Sequence, residues 1–311
     1  MILGKLLAIG LVVHGLQASQ VVELRDGDRV VLLGGTFVER AQQYGFIELA
    51  LTARWPHRNV TFRNLGWSAD DVFGESRKYY GSYQSTTLDV GGRERLLANV
   101  EAFDATVVLA NYGANAAAGG SEGLGAFLEG YRSLLDELER EGVRIVLLSP
   151  IPRENLGAPY PDQADYNEYL RLYADAIGNL ARGRGHYFAD LFRELPNAAR
   201  NAGRLTDNGV HLTASGYSYA AAALEAALGW DHSVRERLSA QQAEELRQSI
   251  IEKNRLYFHS YRPQNDTYLR GFREYEQGNN AGELLEFLPL IRIQEEKIRE
   301  LRKPRPTGAS N

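Results

Sequence analysis

Five short apolar runs recur along the first two thirds of the chain: Arg29 to Leu33, Val60 to Leu65, Ala105 to Ala110, Val143 to Leu148 and His186 to Leu191. They are rich in Val, Ile, Leu and Phe and bounded by turn residues, so they are predicted as strands buried on both faces. Between them the apolar period becomes that of a helix. Phe127, Tyr131, Leu134, Leu135 and Leu138 form one stripe, and Tyr166, Leu170, Tyr173, Ile177 and Leu180 form another. Repeated strand, helix, strand units from about residue 26 to 229 predict a parallel sheet of about five strands with helices on both faces, a three-layer α/β/α fold. Such sheets bind ligands beyond the carboxyl ends of their strands, which makes the residues following each run the candidate site.

Those following segments are Gly34-Gly35-Thr36, Gly66 to Asp71, Asn111 to Asn115, Ser149 to Pro152 and Thr206 to His211. All contain polar residues, Gly or Pro. The available chemistry is limited to oxygen and imidazole, because the 311 residues include no cysteine and disulfides, thiolate metal sites and Cys nucleophiles are excluded. Lys plus Arg number 35 against 40 Asp plus Glu, for a formal charge of -5, and no basic block stands out, so nucleic acid is not an expected partner. His14, His57, His186, His211, His232 and His259 form no metal-binding spacing, and Asp70, Asp71 and Glu75 lack the loop spacing of a calcium site. No required metal is predicted. No dinucleotide or phosphate-loop glycine motif follows the first strand, and no cofactor is expected.

The chain opens with Lys5, an apolar stretch from Leu6 to Val13 and a small-residue end at Ala18, the pattern of an export signal over residues 1–18. The stretch is too short for a secure membrane span, and no nearby cysteine offers a lipid anchor. A periplasmic or secreted mature protein beginning near Ser19, with no stable membrane span, is the expectation.

The order and spacing of the segments after the strands resemble the SGNH hydrolases, the GDSL esterase and lipase superfamily, over roughly residues 28 to 228. In that family the first block carries the nucleophilic serine; here it is Gly34-Gly35-Thr36, with Thr36 in the nucleophile's place and Gly35 beside it. The second block is Ser68-Ala69-Asp70 after Asn64, and Ala69 occupies the position of a glycine whose backbone N–H lines the oxyanion hole. The third block keeps its Asn at Asn115, whose side-chain amide donates to the oxyanion. The last block, Asp-x-x-His in the family, reads Asn208 to His211, with Asp207 directly before Asn208.

The resemblance implies a hydroxyl nucleophile, Thr36, with His211 as its base and Asn208 or Asp207 orienting the imidazole. An amide can orient that ring but cannot meet an imidazolium with a full charge. Each residue also has a structural alternative. Thr36 is suited to cap a helix starting near Phe37 or Val38, Ser68 and Asp70 to hold their own loop together, and Asp207 to cap a turn.

Beyond Trp230 the composition changes. Residues 231–303 form a helical C-terminal extension on the 19–230 domain, with amphipathic helices over about 238–258 and 281–301, the second expected to bend at Pro289, and 304–311 a disordered end. The aromatic stretch Tyr257 to Tyr268 either packs on the core or forms a lid over the cleft, with Tyr268 as a substrate-binding residue. The preferred function is hydrolysis of a small ester, an acyl group on a carbohydrate. The alternative is a catalytically degenerate module that binds glycan or a partner protein. A third is an accessory subunit docking a protein partner through the C-terminal helices.

Overall fold

The computed structural model describes residues 22–79, 91–230 and 238–304; residues 1–18, expected to be an export signal, and all but the first residue of 304–311, expected to be disordered, lie outside the described residues. Five parallel strands form one sheet: β1 (Arg29–Gly34), β2 (Thr61–Asn64), β3 (Val107–Asn111), β4 (Arg144–Leu148) and β5 (Tyr187–Ala189), in the order β2-β1-β3-β4-β5. All five follow the apolar runs. The last strand is shorter than its run because Leu191 already opens the next helix.

Both faces of the sheet are apolar, as parallel strands between two helical layers require. Val30 and Leu32, Val107 and Leu109, and Val146 and Leu148 face one core with α1 (Thr36–Tyr44), α2 (Phe46–Arg54) and α7 (Ala214–Ala227). Val31 and Leu33, Val108 and Ala110, and Ile145 and Leu147 face the other, with α3 (Gly92–Ala102), α4 (Leu124–Arg140) and α5 (Ala164–Arg184). The chain leaves β1 toward β2 on one side and returns to β3 on the other, so the crevice between the ends of β1 and β3 is the topological switch point. That crevice is tight. A Cβ on Gly34 would stand 2.3 Å from the Asn111 carbonyl oxygen, and its φ of +157° suits glycine. After β5, α6 (Leu191–Ala198) is capped by Asp190.

The C-terminal extension is not a separate body. Its helix α8 (Ala240–Tyr261) packs along α1, α2 and β2, and Leu246 and Ile250 join Leu49 and Ala53 in a third small core with Ile298 and Leu301. A fully buried Lys253 donates to Glu48 Oε1 (2.5 Å) and to the Phe62 carbonyl (3.0 Å), while Asn254 donates to Glu48 Oε2 (2.9 Å). Two single turns, α9 (Asp266–Leu269) and α10 (Glu274–Gln277), and a run of tight turns over Gly278–Glu286 lead into α11 (Phe287–Leu301). The second predicted helix therefore starts six residues late. Pro289 sits in its first turn rather than bending it, because amide hydrogens there have no intrahelical acceptor to lose. No described helix is long and apolar enough to cross a membrane.

Candidate active site

One cleft opens at the carboxyl end of the sheet, lined by Thr36, Arg40, Asn115, Arg153, Val210 and His211 among others. The residues come from four loops. Thr36 follows β1, Asn115 follows β3, Arg153 follows β4, and His211 precedes α7.

Thr36 is the first residue of α1; Gly35 is the N-cap and no side chain caps the helix. Thr36 thus does not cap a helix starting near Phe37 or Val38, because the helix begins at Thr36 itself. Its Oγ1 instead accepts the backbone N–H of Ala69 (3.1 Å). Ala69 is held at a φ of +61°, a left-handed conformation unusual for any residue with a Cβ, which turns its amide toward Thr36. Asn115 spends one amide hydrogen on the Asp70 carbonyl (3.3 Å) and keeps a second donor for a ligand. A Cβ on Gly35 would stand 3.3 Å from that carbonyl and 3.9 Å from Asn115 Nδ2, so three loops meet at the start of α1.

The loop carrying Ala69 is fixed from several sides. Trp67 N–H donates to the Gly34 carbonyl (2.9 Å), and Asn64 both donates to Val38 O (2.6 Å) and accepts from Gly66 N–H (2.9 Å). Asp70 is buried on Arg77 (2.7 Å) and accepts the Tyr112 hydroxyl (3.2 Å). Ser68 gives its N–H and hydroxyl to Glu39 (2.8 and 2.5 Å), and Glu39 is also paired with Arg262. Ser68 and Asp70 thus anchor the loop through the side chains of Glu39, Arg77 and Tyr112. Asp71 turns the chain by accepting from Phe73 and Glu75 N–H, while Glu75 pairs with Lys78, so the three acidic residues there diverge.

His211 stands on a loop clamped by Glu154, whose carboxylate accepts from Leu205 N–H, Thr206 N–H and the Thr206 hydroxyl. Asn208, not Asp207, meets the imidazole. Asn208 Oδ1 accepts the backbone N–H groups of Val210 (3.0 Å) and His211 (2.9 Å), which leaves Nδ2 facing His211 Nδ1 at 3.0 Å. Rotating the amide would set its NH₂ against two backbone donors, so the network assigns Nδ2 as donor and Nδ1 as acceptor. The proton of the neutral ring is then on Nε2. Asp207 turns away to pair with Arg40 (3.2 Å). Burial lowers the pKa of His211 below its ordinary value, Arg40 and Arg153 push it further down, and Asp207 partly opposes them.

Of the expected site residues, Thr36, Gly35, Asn115, His211 and the Ala69 amide come together, with Asn208 behind His211. Tyr268 does not line the cleft. It lies on α9 with its hydroxyl accepting from Arg273 (2.6 Å), because the chain between α8 and α11 folds on itself there. Sequence patterns gave no warning of Arg40 and Arg153. Arg40 is one helical turn after Thr36, and that spacing is its only signal.

The sequence model of the GDSL-like lipase/acylhydrolase family matches residues 43–219. No curated protein matches the sequence. Among solved structures, a gut microbial diltiazem-metabolizing enzyme superposes with a TM-score of 0.65 at 12% identity, over 93% of this chain and 98% of that one. A catalytic mutant of an acetylxylan esterase from Geobacillus stearothermophilus gives 0.52 at 17% identity, over 68% and 98%. A crystal structure described as a GDSL-like lipase from Parabacteroides merdae gives 0.54 at 17% identity, over 68% and 99%.

Proposed function

We propose that the chain, which belongs to the GDSL-like lipase/acylhydrolase family, whose members are hydrolases acting on esters, removes a small acyl group from a carbohydrate with Thr36 as nucleophile, and, from the pattern of residues 1–18, that it is exported. One observation carries this reading: Thr36, Asn115 and His211 line one cleft although they come from three loops, and the Ala69 N–H is already on the Thr36 oxygen. In the reaction the Thr36 oxygen attacks the ester carbonyl, whose oxygen becomes an anion received by the Ala69 N–H and the Asn115 amide. His211 Nε2 takes the Thr36 proton and delivers it to the departing alcohol, and water then releases the acyl group by the same steps reversed. For Nε2 to accept, the ring must hold its proton on Nδ1, opposite the Asn208 NH₂. Turnover should therefore be slow. The carbohydrate part of the proposal is supported by the acetylxylan esterase among the structural neighbours.

The test is hydrolysis of a panel of short acyl esters and acetylated sugars by the purified chain. Thr36→Ala should abolish activity with little change in melting temperature, and Thr36→Ser should preserve or raise it. Activity surviving Thr36→Ala would refute the assignment. The Asn208 to His211 hydrogen bond favours a second reading, a degenerate module that binds glycan without turnover. Saturable glycan binding with no hydrolysis of any ester would select it.

A further inference from the structure

We propose that the ester taken by this cleft carries a carboxylate, and that Arg153 recognises it. The inference rests on the cleft being a substrate site, and it adds the class of substrate. Two arginines line the cleft. Arg40 is neutralised by Asp207 at 3.2 Å. Arg153 has no carboxylate partner among the described residues: its guanidinium gives one hydrogen bond, to the neutral Gln163 Oε1 (3.3 Å), and lies over the Tyr166 ring at 3.3 Å. The nearby carboxylates are engaged elsewhere. Glu154 is turned onto the Leu205 and Thr206 amides, Asp162 accepts from Asn155 and Ala164 N–H, and Asp70 is buried on Arg77.

A guanidinium stacked on a ring keeps its edge free, and that edge is a planar fork of donors matched to a carboxylate. Arg153 is also held in place before any ligand arrives. Asn167 accepts its backbone N–H (2.8 Å) and donates to its carbonyl (2.9 Å), and the Tyr166 hydroxyl is tied to the Ala114 carbonyl (2.8 Å), in the loop that carries Asn115. The cation and the oxyanion-binding amide therefore share one frame. An anion on Arg153 would lie in the same cleft as Thr36 and His211, and the cleft's apolar lining at Ile151, Leu170 and Val210 leaves the guanidinium as its unneutralised charge.

The experiment compares matched acetyl esters of a neutral sugar and of the corresponding uronic acid, together with calorimetric binding of the two deacetylated sugars to the Thr36→Ala protein. The uronate should be preferred in kcat/KM and in binding. Arg153→Gln should shrink that preference by roughly 10- to 100-fold, the worth of a charge-assisted hydrogen-bonded pair, and Arg153→Lys should retain part of it. Raised salt should shrink it too. Hydrolysis without preference, or a preference unchanged in a folded Arg153→Gln protein, overturns the proposal. Arg153-dependent uronate binding with no hydrolysis of either ester would support it and refute the hydrolase reading instead.

Discussion

Replacing Asn208 by Asp should convert the His211 environment from one that opposes general-base action to one that supports it. In the native arrangement Asn208 Oδ1 is occupied by two backbone N–H groups and Nδ2 donates to Nδ1 at 3.0 Å. A carboxylate would keep the backbone bonds on one oxygen and offer the other to an Nδ1–H. The base form then no longer sacrifices a neutral hydrogen bond of about 1 kcal/mol, and gains a charge-assisted one of about 1.5–3 kcal/mol. The sum is about 2.5–4 kcal/mol, or roughly 10²- to 10³-fold in kcat at about 1.4 kcal/mol per decade. It falls below the factor of about 10⁴ associated with the carboxylate of the serine-protease triad, because His211 is only partly buried and Arg40 and Arg153 compete for the new charge. Two measurements check this: kcat on the best ester, and imidazole nitrogen-15 shifts, which should report Nε2–H in the native protein and Nδ1–H in the variant. A folded Asn208→Asp protein whose tautomer changes while kcat stays constant would show that His211 does not handle the Thr36 proton.

Lys253→Ala strands a buried Glu48 carboxylate with only Asn254 as partner among the described residues and should cost about 3–5 kcal/mol in urea unfolding; a loss under 1 kcal/mol would mean that water reaches the site. Ala69→Gly relieves a left-handed residue and should stabilise by up to about 1 kcal/mol, read as a higher melting temperature, since Gly meets no Cβ penalty at that φ. His211, with its lowered pKa, should stay neutral below the ordinary value of 6.5, so the acid limb of kcat/KM should lie under that value. Arg40→Gln removes a cation and frees Asp207, and both changes should raise that limb. The same shift fixes the sign for stability. The unfolded chain binds the proton first, so the contribution of His211 is present above the ordinary value and lost as pH falls through the lowered folded one.

The sheet was legible because strands covered on both faces must be apolar throughout, and each of the five runs became a strand within a few residues. Thr36, Asn115 and His211 were legible for a related reason: each belongs to a short polar segment that follows a run, where an open parallel sheet places its ligand. The residues that tune the site were not. Glu39, which holds Ser68, is paired with Arg262, 223 positions away, and the charge of Arg40 is met by Asp207, 167 positions away. No local period encodes such pairs. Arg153 lies one residue past the Ser149 to Pro152 segment, and its importance depends on Glu154 being drawn onto the His211 loop instead of pairing nearby.

The C-terminal extension is better understood as part of the support of the loop that carries Ala69 than as an appendage. Tyr261, the last residue of α8, donates its hydroxyl to the Gly66 carbonyl (3.1 Å). Arg262 lies over the Trp67 ring at 3.6 Å and pairs with Glu39, which in turn takes both the N–H and the hydroxyl of Ser68. Three successive residues, Gly66, Trp67 and Ser68, are thus gripped directly or through Glu39 from the end of one helix, and the fourth is Ala69. Ala69 occupies a conformation that costs about 1–2 kcal/mol for a residue with a Cβ. Such a conformation persists only where the surroundings over-determine it. The end of α8, with Arg77 and Asn64 behind the loop, supplies that constraint and keeps the Ala69 N–H on the Thr36 oxygen.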